Sequence, residues 1–469
     1  MEPIVGALYG VESALEAGVA LAKGILHPTL PLRATLSRIT GGPNLPRTGH
    51  TLSIIKGRAY IYGGESSDAA AAADTDIHVI VLPTTDVEET DYFTATTKGR
   101  GPVPRKNHTA TVVGDDIYIF GGQPLSSSSS SSESAEPDPP GRIWSFSTIS
   151  STWRPAPDSS GPAQRTGHAA AGTEDPNPQA PKGVDTSLET GILPQAPPDP
   201  ADDRMLAEPE PEGSFGTVFV VGGRALGGDD GKGEQLDDAW AFDIRTARWT
   251  QLPSLPRPLA KAGLGATIVG TRLYVVSRGT VGYLDIRRVI EFAAQGNQPT
   301  SPEQASLLGE WQVIETDTAD GKAPGPDDGA GLVDVTTGQG RRYLLLLAGG
   351  KVYGDEAGAE APQAKDTIFA LQLPPEAESA AAVKDTMRET IKKDTKKHAW
   401  AEVEYKYTNE RGDVVSGDKA RAQKLGMGNR KGAAVAKGSE VDGATVVLWG
   451  GMDDEGKVMS DGWMVTVDR

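Results

Sequence analysis

Two stretches of the chain, RTGHTLSIIKGRAYIYGGE at 47–65 and RKNHTATVVGDDIYIFGGQ at 105–123, follow one plan. An Arg is followed three residues later by a His, then an apolar run, a short turn, a second apolar run and Gly-Gly. His50 to Gly63 and His108 to Gly121 are both thirteen residues apart. Internal repetition decides fold class before any local propensity does. The plan returns as GTVFVVGGR with Gly222-Gly223, RYLLLLAGG with Gly349-Gly350 and TVVLWGG with Gly450-Gly451. A sixth copy, TRLYVVSRG, has Ser277 and Arg278 where the glycines would stand. Irregular spacing between the copies means one supersecondary unit with loops of variable length.

Within each copy two short strands precede the Gly pair, whose glycines permit positive φ and close strand approach. A third strand carries one aromatic-type position: His78, Trp144, Trp240, Tyr283, Phe369 and Trp463. A fourth is marked by Trp153, Trp249, Trp311 or Trp400, with Tyr92 and Phe93 taking the place of the Trp in the first copy. Four strands per copy and six copies give an all-β, six-bladed propeller of antiparallel blades. On these residues the sequence from about Ala34 to the C-terminus resembles the kelch-repeat β-propellers of the galactose oxidase/kelch superfamily, and is similar to uncharacterised fungal kelch proteins. The resemblance implies a propeller whose channel mouth receives a partner, as in kelch adaptors that bind peptides there.

Closure is also written in the chain. The last copy ends after its third strand, and RATLSRIT at 33–40 alternates as a strand does, so it is expected to supply the missing fourth strand and remove an exposed sheet edge. The domain reading is an N-terminal helical extension at 1–33 and a propeller at 34–469. The extension carries Val5, Leu8, Leu15, Val19, Ala22 and Leu26 as a stripe, read as packing on the propeller or docking a partner. Inside the propeller, an acidic, Pro-rich insert at 173–213 is expected to be disordered. A second insert at 376–398 reads as a helix with one stripe of Ala380, Val383, Met387 and Ile391 and another of Lys384, Arg388, Lys392 and Lys396.

With 57 Gly and 34 Pro, turns and loops must outweigh long helices. There is no cysteine, which removes disulfides, thiol nucleophiles and thiolate metal sites and fits a reducing compartment. A net charge of -18 argues against nucleic acid as a partner, because neutralising phosphates needs a basic face. The N-terminal apolar segment contains Glu12, Glu16 and Lys23, too many charges for a membrane span. The expectation is a soluble, monomeric, cytoplasmic protein.

No enzyme class gains positive support. A galactose-oxidase-type copper site needs a cysteine, and sialidase-type Asp boxes, a Walker loop and a dinucleotide fingerprint are all missing. His50, His108 and His168 share one repeated position, each three residues after Arg47, Arg105 or Arg165. Repetition across blades favours a structural tie between inner strands over catalysis or metal binding, so no metal and no cofactor are expected. The connections entering the inner strands bring Arg47, Arg105, Lys106, Asn107, Arg165, Arg257, Lys261, Asn429, Arg430 and Lys431 to one end of the channel, with Asp327 and Asp328 the acidic exceptions. Such a mouth suits an acidic peptide of a protein partner. The same residues are otherwise read as blade packing, and the alternative function is a small-molecule binding propeller or a noncanonical enzyme working in the channel.

Overall fold

The computed structural model of the protein describes residues 28–66, 75–83, 90–125, 138–156, 161–176, 215–226, 233–261, 263–294, 307–317, 323–326, 331–337, 340–347, 350–353, 367–375, 379–391, 393–408, 413–416, 419, 426–438 and 444–468. The N-terminal extension up to residue 27 and, beyond residues 173–176, the acidic insert lie outside them.

Six antiparallel sheets stand around one axis. Their inner strands are Thr51–Ile55, Thr109–Val113, Ala169–Thr173, Leu264–Val269, Gly331–Thr337 and Ala434–Lys437, and each touches the next, the last returning to the first. From each inner strand the chain steps outward through two further strands, to a fourth within the same blade for blades one to five. The apolar runs read from the sequence bury their side chains between adjacent blades. Ile61, Ile119, Val220 and Leu448 of the second strands are all buried, and opposite them lie His78, Trp144, Trp240 and Trp463. In these four blades the aromatic-type residue holds one register position, opposite the residue two before the Gly pair, whereas Tyr283 lies opposite Tyr274 and Phe369 opposite Leu346, each one residue further from the pair position.

Blade six is completed by the N-terminal strand as expected. Arg33–Ile39 pairs antiparallel with Gly462–Val467, Leu36 opposite Val465. The sheet then continues beyond the expected edge. Glu404–Thr408 lies parallel to the N-terminal strand and Val414–Ser416 pairs with it in turn, making six strands in all. Tyr405 and Tyr407 point into the core while Glu404 and Lys406 face solvent, the alternation of a half-buried strand. This hairpin covers the strand that closes the ring.

The two degenerate copies keep the architecture by substitution. Blade four has no Gly pair, yet Arg278 adopts φ 40° and Gly279 φ 81°, so the turn between its second and third strands still passes through left-handed backbone. In blade one, His78 stands in the Trp column and its Nδ1 lies 2.8 Å from the Tyr92 hydroxyl. Tyr92 and Phe93 are consequently exposed, unlike the buried Trp153 and Trp249 of the next two blades.

The second insert forms a helix, Ala380–Thr390, with Ser379 capping Ala382 N–H at 3.2 Å. It packs by the turn before Arg341, at the end of the propeller opposite the starts of the inner strands. Among the described residues no helix is long and apolar enough to cross a membrane.

Candidate functional site

The repeated arginines lie four residues before the inner strands of blades one, two, three and six, and their side chains are buried in the blades rather than spread over the mouth. Arg165 is fully buried; its guanidinium donates to Gly222 O at 3.0 Å and to both carboxylate oxygens of Asp238 at 2.5 and 2.9 Å. Asp238 also accepts the Trp240 indole N–H at 2.7 Å. The same clasp recurs in blade two, where Arg105 donates to Gly121 O (2.9 Å) and Asp138 (2.7 Å) and Trp144 donates to Asp138 (3.0 Å). In blade six Arg430 donates to Gly450 O (3.0 Å) and Asp461 (3.0 Å), and Trp463 donates to Asp461 (2.7 Å). The left-handed first glycine turns its carbonyl out of the sheet ladder, and the arginine satisfies it. Burial opposes ionisation of Asp238 and Asp461, but the bonds and charge of Arg165 and Arg430, with the indole donors, outweigh it and hold both carboxyls below the usual range.

The histidines lock one blade to the one before it. His108 Nε2 lies 3.0 Å from the Thr51 hydroxyl of blade one, and His168 Nε2 2.8 Å from the Thr109 hydroxyl of blade two. The first glycine of each pair makes room for the next histidine: a Cβ would stand 2.7 Å from His108 Cε1 on Gly63 and 2.6 Å from His168 Cε1 on Gly121. The second glycine donates to the next blade's arginine carbonyl, Gly64 to Arg105, Gly122 to Arg165 and Gly451 to Arg47, all at 2.8 to 2.9 Å. Burial first, then the neighbouring arginine charge, pushes His50 and His168 down to about 3 and His108 well below its ordinary value, so all three are neutral spacers.

At the seam between blades six and one the hydroxyl is missing. Ala434 pairs with Trp449 just before Gly450, as Thr51 pairs with Tyr62 before Gly63 and Thr109 with Phe120 before Gly121. His50 accordingly has both ring nitrogens buried without a partner among the described residues. Ala434→Thr is expected to satisfy His50 and raise unfolding stability by about 1 kcal/mol. A thermal melt that fails to rise relative to wild type would contradict that pairing.

Inside this ring lies a cavity of about 310 Å³ to which all six inner strands contribute. Its wall is Gly, Ala, Leu, Val435 and Thr with the three neutral histidines, and Asn107 and Arg224 are its other polar lining residues. Among the described residues no cluster of His, Asp and Glu could hold a metal ion.

The predicted site residues divide into two sets. Arg47, Arg105, Arg165 and Arg430 are buried, so the expectation that they present charge at the mouth is corrected: three are neutralised within their own blades, and Arg47 too is withdrawn from the surface. Lys106, Asn107, Arg257, Lys261, Asn429 and Lys431 stay on that face; Lys106 pairs with Glu65 at 2.7 Å and Asn429 donates to Asp454 at 2.9 Å. Asp327 and Asp328 fall outside the described residues. Sequence reasoning missed Arg224, which follows the third Gly pair and lies opposite Thr166 on the rim. It also missed the clasp acids, although Asp238-x-Trp240 and Asp461-x-Trp463 repeat visibly in the sequence.

Comparison with known proteins bears on the first three blades. A family profile described as the KLHDC2/KLHL20/DRC7 Kelch-repeats domain matches residues 29–176, and one described as the Kelch motif matches residues 216–256. The chain is 35% identical over 86 residues to a Rab9 effector protein with kelch motifs from Danio rerio, over 18% of this chain and 23% of that protein. It is 27% identical over 172 residues to the Rho GTPase-activating protein gacHH of Dictyostelium discoideum, over 35% of this chain and 10% of that one. The chain thus matches less than a quarter of the length of either relative. Among solved structures, one titled "Structure of YjhT" aligns over 92% of this chain and 99% of that chain at 12% identity and a TM-score of 0.45, too distant to carry an argument.

Proposed function

Because the chain is a kelch-repeat β-propeller, we propose that it is a protein-interaction module that seats an acidic segment of a partner across the rim of its channel. The observation that carries this reading is the set of cations left on the rim once the clasp arginines are withdrawn. Arg224, Lys261 and Lys431 have no ion pair with any described residue, and Lys106 stands among them on a chain of net charge -18. Positive charge concentrated on one end of an otherwise acidic protein steers acidic partners there and repels them elsewhere. The relatives support the class: a Rab9 effector and a Rho GTPase-activating protein are, by those names, proteins that work on or through other proteins.

The small-molecule or enzyme alternative draws less from the structure. The cavity wall brings together small apolar groups and three histidines held neutral, His108 and His168 hydrogen-bonded to threonine, with no carboxylate beside them among its lining residues. General acid-base work needs a group that titrates near the working pH.

Reversing the rim decides between them. Arg224→Glu with Lys261→Glu and Lys431→Glu is expected to reduce capture of native partners from extract at least about 10-fold relative to wild type. Arg154→Glu, on the outer strand of blade two, should leave capture unchanged. Equal capture by wild type and the triple variant would overturn the rim reading. A small molecule retained in native mass spectrometry with no protein captured would favour the alternative.

A further inference from the structure

The helix Ala380–Thr390 is built inside out. A surface helix ordinarily turns its apolar stripe to the core and its charges to water. Here Ala381, Lys384, Asp385 and Arg388 are buried against the propeller, while Val383, Met387 and Ile391, one stripe at i, i+4 and i+8, are 50%, 37% and 53% exposed. What anchors the helix is ionic. Arg341, from the second strand of blade five, donates to both Asp385 oxygens at 2.6 and 3.0 Å, and Arg388 donates to Asp385 at 2.8 Å. The apolar stripe is therefore not needed to hold the helix in place, and it faces outward on a fixed platform.

The chain's own N-terminal segment arrives beside this platform. Tyr343, two residues along the strand from Arg341, donates its hydroxyl to Thr29 O at 3.0 Å. That hydroxyl lies in the field of Arg341, Arg388 and Asp385, and burial pushes it up to about 12. Leu30 and Leu32 then enter the core cluster that holds Tyr343 and Val335. The described chain thus begins at the foot of the helix, and the 27 residues before Pro28 start from there. In those residues Leu15, Val19, Ala22 and Leu26 repeat at i, i+4, i+7 and i+11, the spacing of a stripe able to meet Val383, Met387 and Ile391. The lengths also agree. A helix of 11 residues runs about 16 Å, and residues 15–26 in helical form would run about 18 Å.

We propose that residues 1–27 cover the outward stripe of the helix Ala380–Thr390, packing Leu15, Val19, Ala22 and Leu26 on Val383, Met387 and Ile391. The occupant is a segment of the same chain, tethered by the Thr29–Tyr343 bond. Tethering makes the contact effectively intramolecular, so a stripe of three side chains suffices where two separate proteins would need a far larger surface. The surface lies at the opposite end of the propeller from the basic rim, so it stands or falls independently of the rim reading.

The test uses the full-length chain with p-benzoylphenylalanine introduced at Met387, irradiated at low protein concentration and mapped by mass spectrometry. Cross-links within one chain to residues 1–27 are expected, and the variant Leu15→Asp with Val19→Asp should lose most of them. Cross-links to a second copy of the chain, to another part of the propeller or to nothing would overturn the proposal. Hydrogen exchange gives a second reading without a cross-linker. Amides of residues 5–26 should be protected in the wild type and exchange at least about 10-fold faster in Val383→Asp with Met387→Asp. Unprotected amides in the wild type would also overturn it.

Discussion

Arg165→Ala is expected to lower the unfolding free energy of the propeller by about 3–5 kcal/mol, the range for breaking a buried ion pair from one side. The alanine leaves the Asp238 carboxylate with the Trp240 indole but no counter-ion, and it strands the Gly222 carbonyl that the left-handed turn has pointed away from the ladder. The Gly222 carbonyl is buried and the Asp238 carboxylate largely so, and an unmet polar group there is expensive. Arg165→Lys should recover only part of the loss, since one ammonium cannot span both carboxylate oxygens and the glycine carbonyl. Lys106→Ala is the contrast. Its pair with Glu65 is partly exposed on both sides, so its removal should cost less than about 1 kcal/mol. Urea denaturation of the three variants reads these differences directly, and an Arg165→Ala midpoint indistinguishable from that of Lys106→Ala would sink the clasp as a structural element. For a domain whose total stability is on the order of 5–15 kcal/mol, the expected loss is large enough to reduce the folded population in cells.

This clasp also shows where sequence reading stops. The Gly pairs, the aromatic position of blades one, two, three and six and the closing strand were legible because each recurs, or completes a recurring unit, at a fixed register. The arginines recur as well, and their position just before the inner strands was read correctly. Which way their side chains run was not available, because it depends on acids far away along the chain. Asp238 lies 73 residues from Arg165, Asp461 lies 31 from Arg430 and Asp138 lies 33 from Arg105, and only the register of the folded sheet brings each pair together. The hairpin at 404–416 failed for a different reason. Val403, Tyr405 and Tyr407 alternate as a strand, but they follow a helical insert and precede an expected blade, so nothing in the six-copy count called for them. The helix itself was expected, though it spans Ala380–Thr390 rather than 376–398; of the basic stripe only Lys384 and Arg388 lie on it, Lys396 standing beyond its end and Lys392 outside the described residues. Its orientation was not, because Arg341 on a neighbouring strand draws the charged stripe inward against the rule that governs isolated surface helices.

Between pH 7 and pH 5 the propeller is expected to lose about 6 kcal/mol of its stability. His50, His108 and His168 are buried neutral, with folded-state values depressed below the ordinary 6.5, to about 3 for His50 and His168. As the pH falls through 6.5 the unfolded chain takes up a proton on each of them and the folded chain does not. Stability present above 6.5 is therefore lost progressively on acidification, until His50 and His168 themselves protonate in the folded chain near 3. Each pH unit in that window costs about 1.4 kcal/mol per histidine, so the three together cost about 4 kcal/mol per unit. Asp238 and Asp461, depressed in the folded state from the usual 3.8, add a further loss in the same direction only below about pH 4. The measurement is the urea midpoint at pH 7, 6, 5 and 4.5 for wild type and for His168→Gln, whose amide can still reach the Thr109 hydroxyl but has no proton to gain. The variant's slope should be shallower by about 1.4 kcal/mol per unit. A wild-type midpoint that stays flat from pH 7 to 5 would mean that these histidines are protonated within the folded ring, and that the seams between blades are held by something other than neutral imidazole.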